Sequence, residues 1–372
     1  MVIIIRSNDI VSDPRAMKYV KYLQDSKIPY RLIGWDRDGK LAPDSNNSYF
    51  QRQAGFNVGG VKAVKNRILW MYFVIKTLRQ LNIHNPILHG CDLDATFPAT
   101  VYKVFFNKKA EVIFDIFDWF SATLYNQSKY ILYAFSWMEK FCIKHSDDII
   151  ICEPERIEQI PYPIPKVKLH ILPNIPFFSD SSFLRKREDC QFNNDKLTFS
   201  YVGGFYGERC IKELIEIAAA GHINLLIAGF GEESYVNRLK ELSSSPYIKY
   251  FGKVKYQDAL SIQYNADVIY AMYATSNPNH IYAAPNKFYE SMFLGKPIFT
   301  TNGTIVEKKV KKANMGYTSE ESEDEILRTI LSIKKEDLEI KGQNAYGLWV
   351  SEFQNYTQNF MEQTYAQMFA NS

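Results

Sequence analysis

Ala284-Pro285-Asn286-Lys287-Phe288-Tyr289-Glu290-Ser291-Met292-Phe293-Leu294-Gly295-Lys296-Pro297-Ile298 is the stretch on which the fold turns. Pro285 and Asn286 open a helix, Gly295 closes it and Pro297 precedes a buried strand, so the helix offers its amino end at a strand's carboxyl end. Free amides there, backed by the helix dipole, make an anion site, and Lys287 adds a full positive charge in the first turn. A pyrophosphate fits. Glu290 follows three residues later on nearly the same face, where a carboxylate can accept two hydrogen bonds from a vicinal diol such as a ribose. An ordinary capped helix with a surface Lys and Glu is the plain alternative.

Upstream, Tyr201-Val202-Gly203-Gly204-Phe205-Tyr206-Gly207-Glu208-Arg209 ends an apolar strand. Its glycines let the backbone come close to a ligand, and Arg209 can clamp phosphate oxygens through two hydrogen bonds. Between these two motifs, Ala228-Gly229-Phe230-Gly231-Glu232-Glu233-Ser234 reads as strand, Gly-x-Gly and helix. Ser234 stands where a dinucleotide fingerprint needs its third glycine, which argues against a dehydrogenase. A tight strand-to-helix turn with no ligand accounts for the two glycines equally well.

Around the motifs, short apolar runs alternate with longer amphipathic ones, the pattern of βαβ units and a parallel sheet. Strands are predicted at 2–5, 30–33, 87–89, 112–117 and 148–152, and helices at 14–25, 66–81, 95–106 and 129–144. Six prolines from Pro154 to Pro176 then mark an interdomain linker. The alternation restarts at 197–202 and runs to a strand at 298–300. A long aromatic helix at about 348–369 is expected to return to the first domain. The division is therefore 1–172 with 348–372, and 173–347: two doubly wound α/β domains, expected to face a central cleft at the carboxyl ends of their strands.

A chain of 372 residues with 46% hydrophobic and 23% charged residues is globular and long enough for two cores. The net charge of +3 makes no case for nucleic acid, but residues 1–170 carry a surplus of +6 and the remainder −3. Five cysteines form no CxxC pair and read as reduced thiols. The apolar run at the amino terminus stops at Arg6, too short for a signal peptide or anchor. The expectation is a soluble, cytoplasmic protein. Two helices of the first domain mix cations with aromatics: Lys62 to Arg79, with Trp70, Tyr72 and Phe73, and Lys129 to Lys144, with Tyr130, Tyr133, Phe135, Trp137 and Phe141. Such helices suit an anionic membrane surface, and peripheral contact on the inner face of the cytoplasmic membrane is expected.

Together these stretches resemble the retaining glycosyltransferases of the GT-B fold, specifically family 4 of nucleotide-sugar-dependent enzymes. Ser12-Asp13-Pro14-Arg15 is similar to the family's first loop, His89-Gly90-Cys91-Asp92-Leu93-Asp94-Ala95 to its His-x-His-Asp-Leu-Asp stretch, and Leu172-Pro173-Asn174 to the turn entering the second domain. Val202 to Arg209 resembles the Gly-Arg…Lys phosphate motif, Phe251-Gly252-Lys253-Val254 the base-contacting loop, and Pro285 to Pro297 the most specific element. The family's ribose-binding Glu falls on Glu290. Its first motif Glu falls on Tyr282, the Arg of Gly-Arg on Gly204, the motif Lys on Arg209, the second His on Cys91 and another frequent His on Phe117.

The resemblance implies a GT-B enzyme that moves a sugar, with retention, from a UDP- or GDP-sugar to a glycan, a lipid-linked one in bacterial surface polysaccharide assembly. The donor would meet Gly203, Gly204, Arg209, Gly229, Gly231, Val254, Tyr282, Asn286, Lys287 and Glu290, in the domain 173–347. The acceptor would meet Asn8, Arg15, His89 and Asp94 in the other. Arg209 and Lys287 would stabilise the departing diphosphate, and Asp92 and Asp118, with Asp94, would orient the acceptor hydroxyl; helix caps and solvated acids are the plain alternative for all three. No metal or other cofactor is expected. The rivals are a sugar-nucleotide 2-epimerase on the same scaffold, and a protein of this fold that binds sugar or nucleotide without turnover.

Overall fold

Val2, Ile3, Ile4 and Ile5 are all buried, as a strand covered on both faces must be. They form β1 (Val2–Arg6), which pairs in parallel with β2 (Tyr30–Asp36) on one side and β4 (Ile87–Cys91) on the other. The computed structural model describes residues 1–8, 10, 13–39, 41, 42, 44, 46–53, 61–124, 127–178 and 181–369; Ser12, in the expected first loop, lies outside them. With β3 (Asn47–Gln51), β5 (Glu111–Ile116), β6 (Asp148–Ile151) and β7 (Leu169–Ile171), the sheet runs in the order β3-β2-β1-β4-β5-β6-β7, parallel throughout.

The helices of this unit are α1 (Pro14–Asp25), α2 (Val61–Leu81), α3 (Leu93–Phe105), α4 (Phe120–Thr123) and α5 (Lys129–His145). Helix α1 starts where its chemistry dictates: Asp13 caps the amides of Arg15 and Ala16, and Pro14 takes the first position. Trp70, Val74 and Leu78 of α2 close one core over Ile3, Ile5, Ile33 and Trp35. Cys142 and Ile143 of α5 close another with Phe114, Ile116, Ile149 and Ile151. Trp70, expected among membrane-facing aromatics, is fully buried and donates its indole N–H to the Asp94 carbonyl at 2.9 Å.

Asn174 begins a second unit that runs to Tyr356, while Thr357–Ser372 belongs with Met1–Pro173. Its strands are β8 (Thr198–Phe205), β9 (Asn224–Gly231), β10 (Ile248–Tyr250), β11 (Val268–Ala271), β12 (Ile298–Thr301) and β13 (Gly316–Ser319), in the order β10-β9-β8-β11-β12-β13, again all parallel. Its helices are α6 (Ile211–Ala219), α7 (Glu233–Glu241), α8 (Tyr256–Tyr264), α9 (Pro278–Ile281), α10 (Asn286–Leu294), α11 (Ile305–Ala313), α12 (Glu323–Leu331) and α13 (Lys335–Leu348), with α14 (Tyr356–Phe360) at the division.

Two expectations about the chain's course need correction. The proline-rich stretch is not a bare linker, because β7 lies inside it and pairs with the sheet edge on β6; a three-residue edge strand can sit among prolines. The long terminal helix does not return at 348. Trp349 packs on Phe293 (5.1 Å) and Phe353 on Tyr289 (5.3 Å), which hold this segment in the second unit as far as Tyr356. The residues that do join the first unit, Phe360, Met361, Tyr365 and Met368, are buried.

Among the described residues no helix is long and apolar enough to cross a membrane. All five cysteines are free and buried.

Candidate functional site

In doubly wound sheets the strand order reverses at one point, and loops at the carboxyl edge diverge there to leave room for a ligand. In the second unit that point lies between β8 and β11. The end of β8 and the turn leaving it carry Gly203 to Arg209, the loop leaving β11 carries Tyr273 to Pro285, and α10 follows that loop. Asn174 donates its side-chain amide to the Ala284 carbonyl at 2.9 Å, fixing the approach to α10.

Helix α10 begins at Asn286 with no side-chain cap and ends at Gly295, whose φ of +60° is the left-handed conformation glycine favours. Lys287, in its first turn, is nearly buried and lays its ammonium 4.7 Å from the centroid of the Tyr201 ring. A side chain at Gly203 would put its Cβ 2.9 Å from the Lys287 Nζ, so Gly203 makes room for the cation. Tyr201 donates its hydroxyl to the Gly204 carbonyl at 2.5 Å, which holds the ring in place beneath Lys287. Arg209 stacks its guanidinium 4.1 Å from the centroid of Tyr273. Both cations act on Tyr201, one by stacking and one by its charge, although burial dominates and pushes the Tyr201 phenol up.

Neither cation has a carboxylate within ion-pair distance among the described residues, and the Nη1 of Arg209 is buried without a hydrogen-bond partner. Aromatic faces partner both positive charges without neutralising them. A buried guanidinium nitrogen left without an acceptor is costly, and an anionic ligand relieves that cost. Here the structure brings together Gly203, Gly204, Arg209, Lys287 and the open amino end of α10, which Asn286 begins exposed to solvent.

Glu208 ties the Arg209 turn to the second loop. Its carboxylate accepts from the Asn277 amide at 3.1 Å and lies 3.7 Å from the Nε2 of His280, while its carbonyl accepts from the Ala274 amide at 2.8 Å. Tyr273, which carries Arg209, meets His280 edge-on at 5.5 Å. Tyr282 is half-buried at the end of α9.

Glu290 is buried, and burial pushes its carboxyl up; Gln263, Lys287 and Tyr256 pull it back down. Gln263 donates to its Oε2 at 2.9 Å, and Tyr256 also bonds to it. Gln263 and Tyr256, on α8, were not legible as site residues, because nothing in their own spacing points to α10. Tyr201 and Tyr273 left a better signal, each lying at the end of an apolar strand run next to a motif that needs a cation.

Gly229 and Gly231 have a reason that involves no ligand. A Cβ at Gly229 would lie 1.8 Å from the Gly203 carbonyl oxygen, and one at Gly231 2.2 Å from that of Phe205, so the pair lets β9 close against β8. Gly229→Ala is expected to destabilise the protein by about 2–4 kcal/mol. Gly252→Ala is the control, being also at positive φ with nothing within 4 Å. Thermal melts compare the two, and equal losses would reduce the Gly229 effect to backbone strain alone. Val254 is half-buried against the apolar cluster around Leu226, Ala228 and Ile262, with Val202 beside it.

The expected acceptor residues lie in the first unit, and most are interior. Arg15 is buried and pairs with Asp115 at 2.7 Å, donating also to the Leu172 carbonyl at 2.6 Å. Tyr19 donates to Asp115 at 2.7 Å. His89 is fully buried, with Nε2 3.6 Å from Asp115 and Nδ1 2.9 Å from the Tyr365 hydroxyl. Asp94 accepts from Ser7 at 2.7 Å and pairs with Arg67 at 3.2 Å. Arg15, His89 and Asp94 thus sit as braces beneath the strand ends rather than as exposed contacts. Asn8 is half-buried, its carbonyl accepting from the Trp35 amide at 3.3 Å.

Asp92 and Asp118 lie closer to solvent. Asp92 holds a φ of +70°, unusual for a residue with a side chain. Its Oδ1 accepts from the amides of Phe117 (2.9 Å) and Asp118 (3.3 Å), its Oδ2 accepts from Arg6, and its amide donates to the Asp115 backbone carbonyl at 2.9 Å. These bonds outweigh the backbone cost. Burial pushes the Asp92 carboxyl up to about 6, against the pull of Arg6. Asp118 is more than half exposed and pairs with Arg156 at 3.0 Å.

His89, Cys91 and Asp115 bring three potential ligand atoms within 4.8 Å of one another. The set is poor for a divalent ion: Arg15 already bonds Asp115 and holds its carboxyl well below the ordinary range against the effect of burial, and burial keeps the Cys91 thiol protonated.

No protein-family model matches the sequence, and no curated protein sequence matches it. Solved structures do. Sucrose-phosphate synthase from Thermosynechococcus elongatus is similar with a TM-score of 0.75 over 100% of both chains, at 15% identity. WaaG, a glycosyltransferase involved in lipopolysaccharide biosynthesis, gives 0.68 over 100% of both chains at 11%. HepE from Anabaena, solved with UDP and glucose, gives 0.69 over 98% of this chain and 100% of that one at 10%. With its two parallel sheets of seven and six strands, the chain has the GT-B fold.

Proposed function

We propose that this protein is a retaining glycosyltransferase similar to family 4, which takes a sugar from a UDP- or GDP-sugar and passes it to a lipid-linked glycan in bacterial surface polysaccharide assembly. The observation that carries the reading is the pair Arg209 and Lys287, two uncompensated cations on aromatic rings beside an uncapped helix end. That is a receptacle for a diphosphate. The GT-B fold, and the UDP and glucose bound to HepE, support the donor class.

In this reading the sugar leaves through an oxocarbenium-like transition state, and the acceptor oxygen attacks on the face the diphosphate departs from. The departing phosphate takes the acceptor's proton, so no carboxylate nucleophile is needed. Charge growing on the diphosphate is met by Arg209, Lys287 and the α10 amides, which supply the positive field that a divalent ion would otherwise bring. The free lone pairs of Glu290 accept the ribose hydroxyls, with Gln263 and Tyr256 aligning the carboxylate. Asp92 and Asp118 orient the acceptor, and the protein works in the cytoplasm at the inner face of the membrane.

The test is a thermal-shift series with UDP, GDP, ADP, TDP and CMP on wild type and Lys287→Met. A ligand at one hundred times its dissociation constant adds about 2.7 kcal/mol to the folded state. One nucleoside diphosphate should stabilise the wild type by about 5–10 °C and the variant far less. No shift with any nucleotide at millimolar concentration would remove the donor site and leave, of the non-catalytic alternative, only a protein that binds sugar.

A further inference from the structure

Helices α2 and α5 both pack on α3, and their outer faces are unlike the rest of the surface. Tyr130, Tyr133 and Trp137, at helical spacing on α5, are 76%, 76% and 53% exposed, and Ile68 and Tyr72, one turn apart on α2, are 61% and 65% exposed. Side-chain contacts join the helices: Arg67 of α2 lies 4.6 Å from the Phe120 ring centroid, Phe120 packs on Phe135 of α5 at 4.9 Å, and Phe97 of α3 meets Trp137 at 6.0 Å. Phe105 and Phe106, at the end of α3, are exposed as well.

The exposed charges on these helices have one sign. Lys65, Lys76 and Arg79 of α2 are exposed, as are Lys129, Lys140 and Lys144 of α5. Helix α2 contains no acidic residue at all. The single acid of α5, Glu139, is buried and accepts from the Ser121 amide at 2.8 Å. Every exposed formal charge on the described turns of both helices is therefore a cation, set among tyrosine and tryptophan side chains. Aromatic rings with one polar edge and lysines with long apolar stems match the boundary between headgroups and acyl chains.

We propose that the exposed faces of α5 and α2 form the surface by which the protein docks on a bilayer rich in anionic lipid. The inference deepens the membrane-side reading above and rests on it for its purpose; its physical basis is the one-sided charge and the aromatic stripe. Of the cation-rich helices expected to face a membrane, Trp70 serves the core instead, while Tyr72, Tyr130, Tyr133 and Trp137 remain outside.

The experiment is co-sedimentation of the full chain with vesicles of phosphatidylcholine alone or mixed with phosphatidylglycerol, at low and high salt. Two variants accompany the wild type: Tyr130→Ser/Tyr133→Ser/Trp137→Ser, and Lys129→Glu/Lys140→Glu/Lys144→Glu. All the replaced side chains are exposed, and a melt of each variant verifies folding. Wild type should bind the anionic vesicles at least about tenfold better than the neutral ones and lose that binding in high salt, and each variant should lose at least about tenfold. Wild type that ignores anionic vesicles, or variants that bind as well as wild type, overturn the proposal. So does a wild-type dimer in light scattering that both variants abolish, which would give the face to a second copy of the chain. The nucleotide thermal shift is run on the same samples. A shift retained without vesicle binding sinks the docking surface alone, and vesicle binding without a shift sinks the donor site alone.

Discussion

Lys287→Met should lower sugar transfer by two to three orders of magnitude. The methionine keeps an apolar stem over the Tyr201 ring and removes only the charge. Loss of one preorganised group facing a developing negative charge costs about 3–4 kcal/mol in the barrier, or about 10²–10³ in rate. Arg209→Met should fall in the same range, because its Nη1 is already desolvated and without a partner before any ligand arrives. The double variant should lose less than the product of the two, since both cations face the same diphosphate. The measurement is release of nucleoside diphosphate from the donor that the thermal-shift series selects, at saturating acceptor. A rate for Lys287→Met within threefold of wild type would remove this lysine from the chemistry. A loss confined to KM would make it a binding group alone.

The second large effect concerns stability. Arg15 and Asp115 form a buried ion pair with Tyr19 bonded to the same carboxylate. Removing one partner leaves the other charged and desolvated, at a cost of about 3–5 kcal/mol. Asp115→Ala should therefore lower the melting temperature of the first unit by about 6–20 °C. Trp35, Trp70, Trp119 and Trp137 lie in this unit and only Trp349 in the other, so tryptophan fluorescence follows it. The Asp115 carboxyl is held well below the ordinary carboxylate range: burial raises it, and Arg15 and His89 more than reverse that. A carboxyl depressed in the folded state stabilises above its unfolded pKa of about 4 and loses that contribution as the pH falls further. The gap between Asp115→Ala and wild type should thus stay constant from pH 7 to about pH 4 and narrow below. A gap that shrinks between pH 7 and pH 5 would mean that a different group carries the effect.

The fold was largely readable because parallel sheets announce themselves. Ile3 to Ile5, Leu225 to Ile227 and Val268 to Tyr270 are runs buried on both faces, separated by amphipathic segments of helical length. Three of the four edge strands were not readable, β10 being the exception: β3 has half-exposed polar positions, β7 is three residues long among prolines, and β13 opens on a glycine. None contains the apolar run that a central strand requires.

The donor residues were legible where the chemistry is local, as with Lys287 in the first turn of α10. What holds them was not. Gln263 and Tyr256 reach Glu290 from α8, Tyr273 supports Arg209 from the end of β11, and Glu208 is joined to Asn277 and His280 across the sheet edge. These partnerships depend on strand order, which residue spacing does not encode. Arg15, His89 and Asp94 teach the converse, since polar residues at strand ends can belong to a buried brace as well as to a ligand.

The carboxyl-terminal segment of the first unit has a consequence for the order in which the protein is made. Tyr365 bonds His89 across 276 positions and packs against Tyr19 at 4.8 Å, and Met361, one turn earlier, is buried as well. Residues up to Pro173 therefore leave the ribosome with a hole in their core, while Asn174–Tyr356 is continuous and can close as soon as it is synthesised. The domain that begins first is the one that finishes last, and a ribosome that stops short of Tyr365 releases an intact second domain beside an incomplete first one.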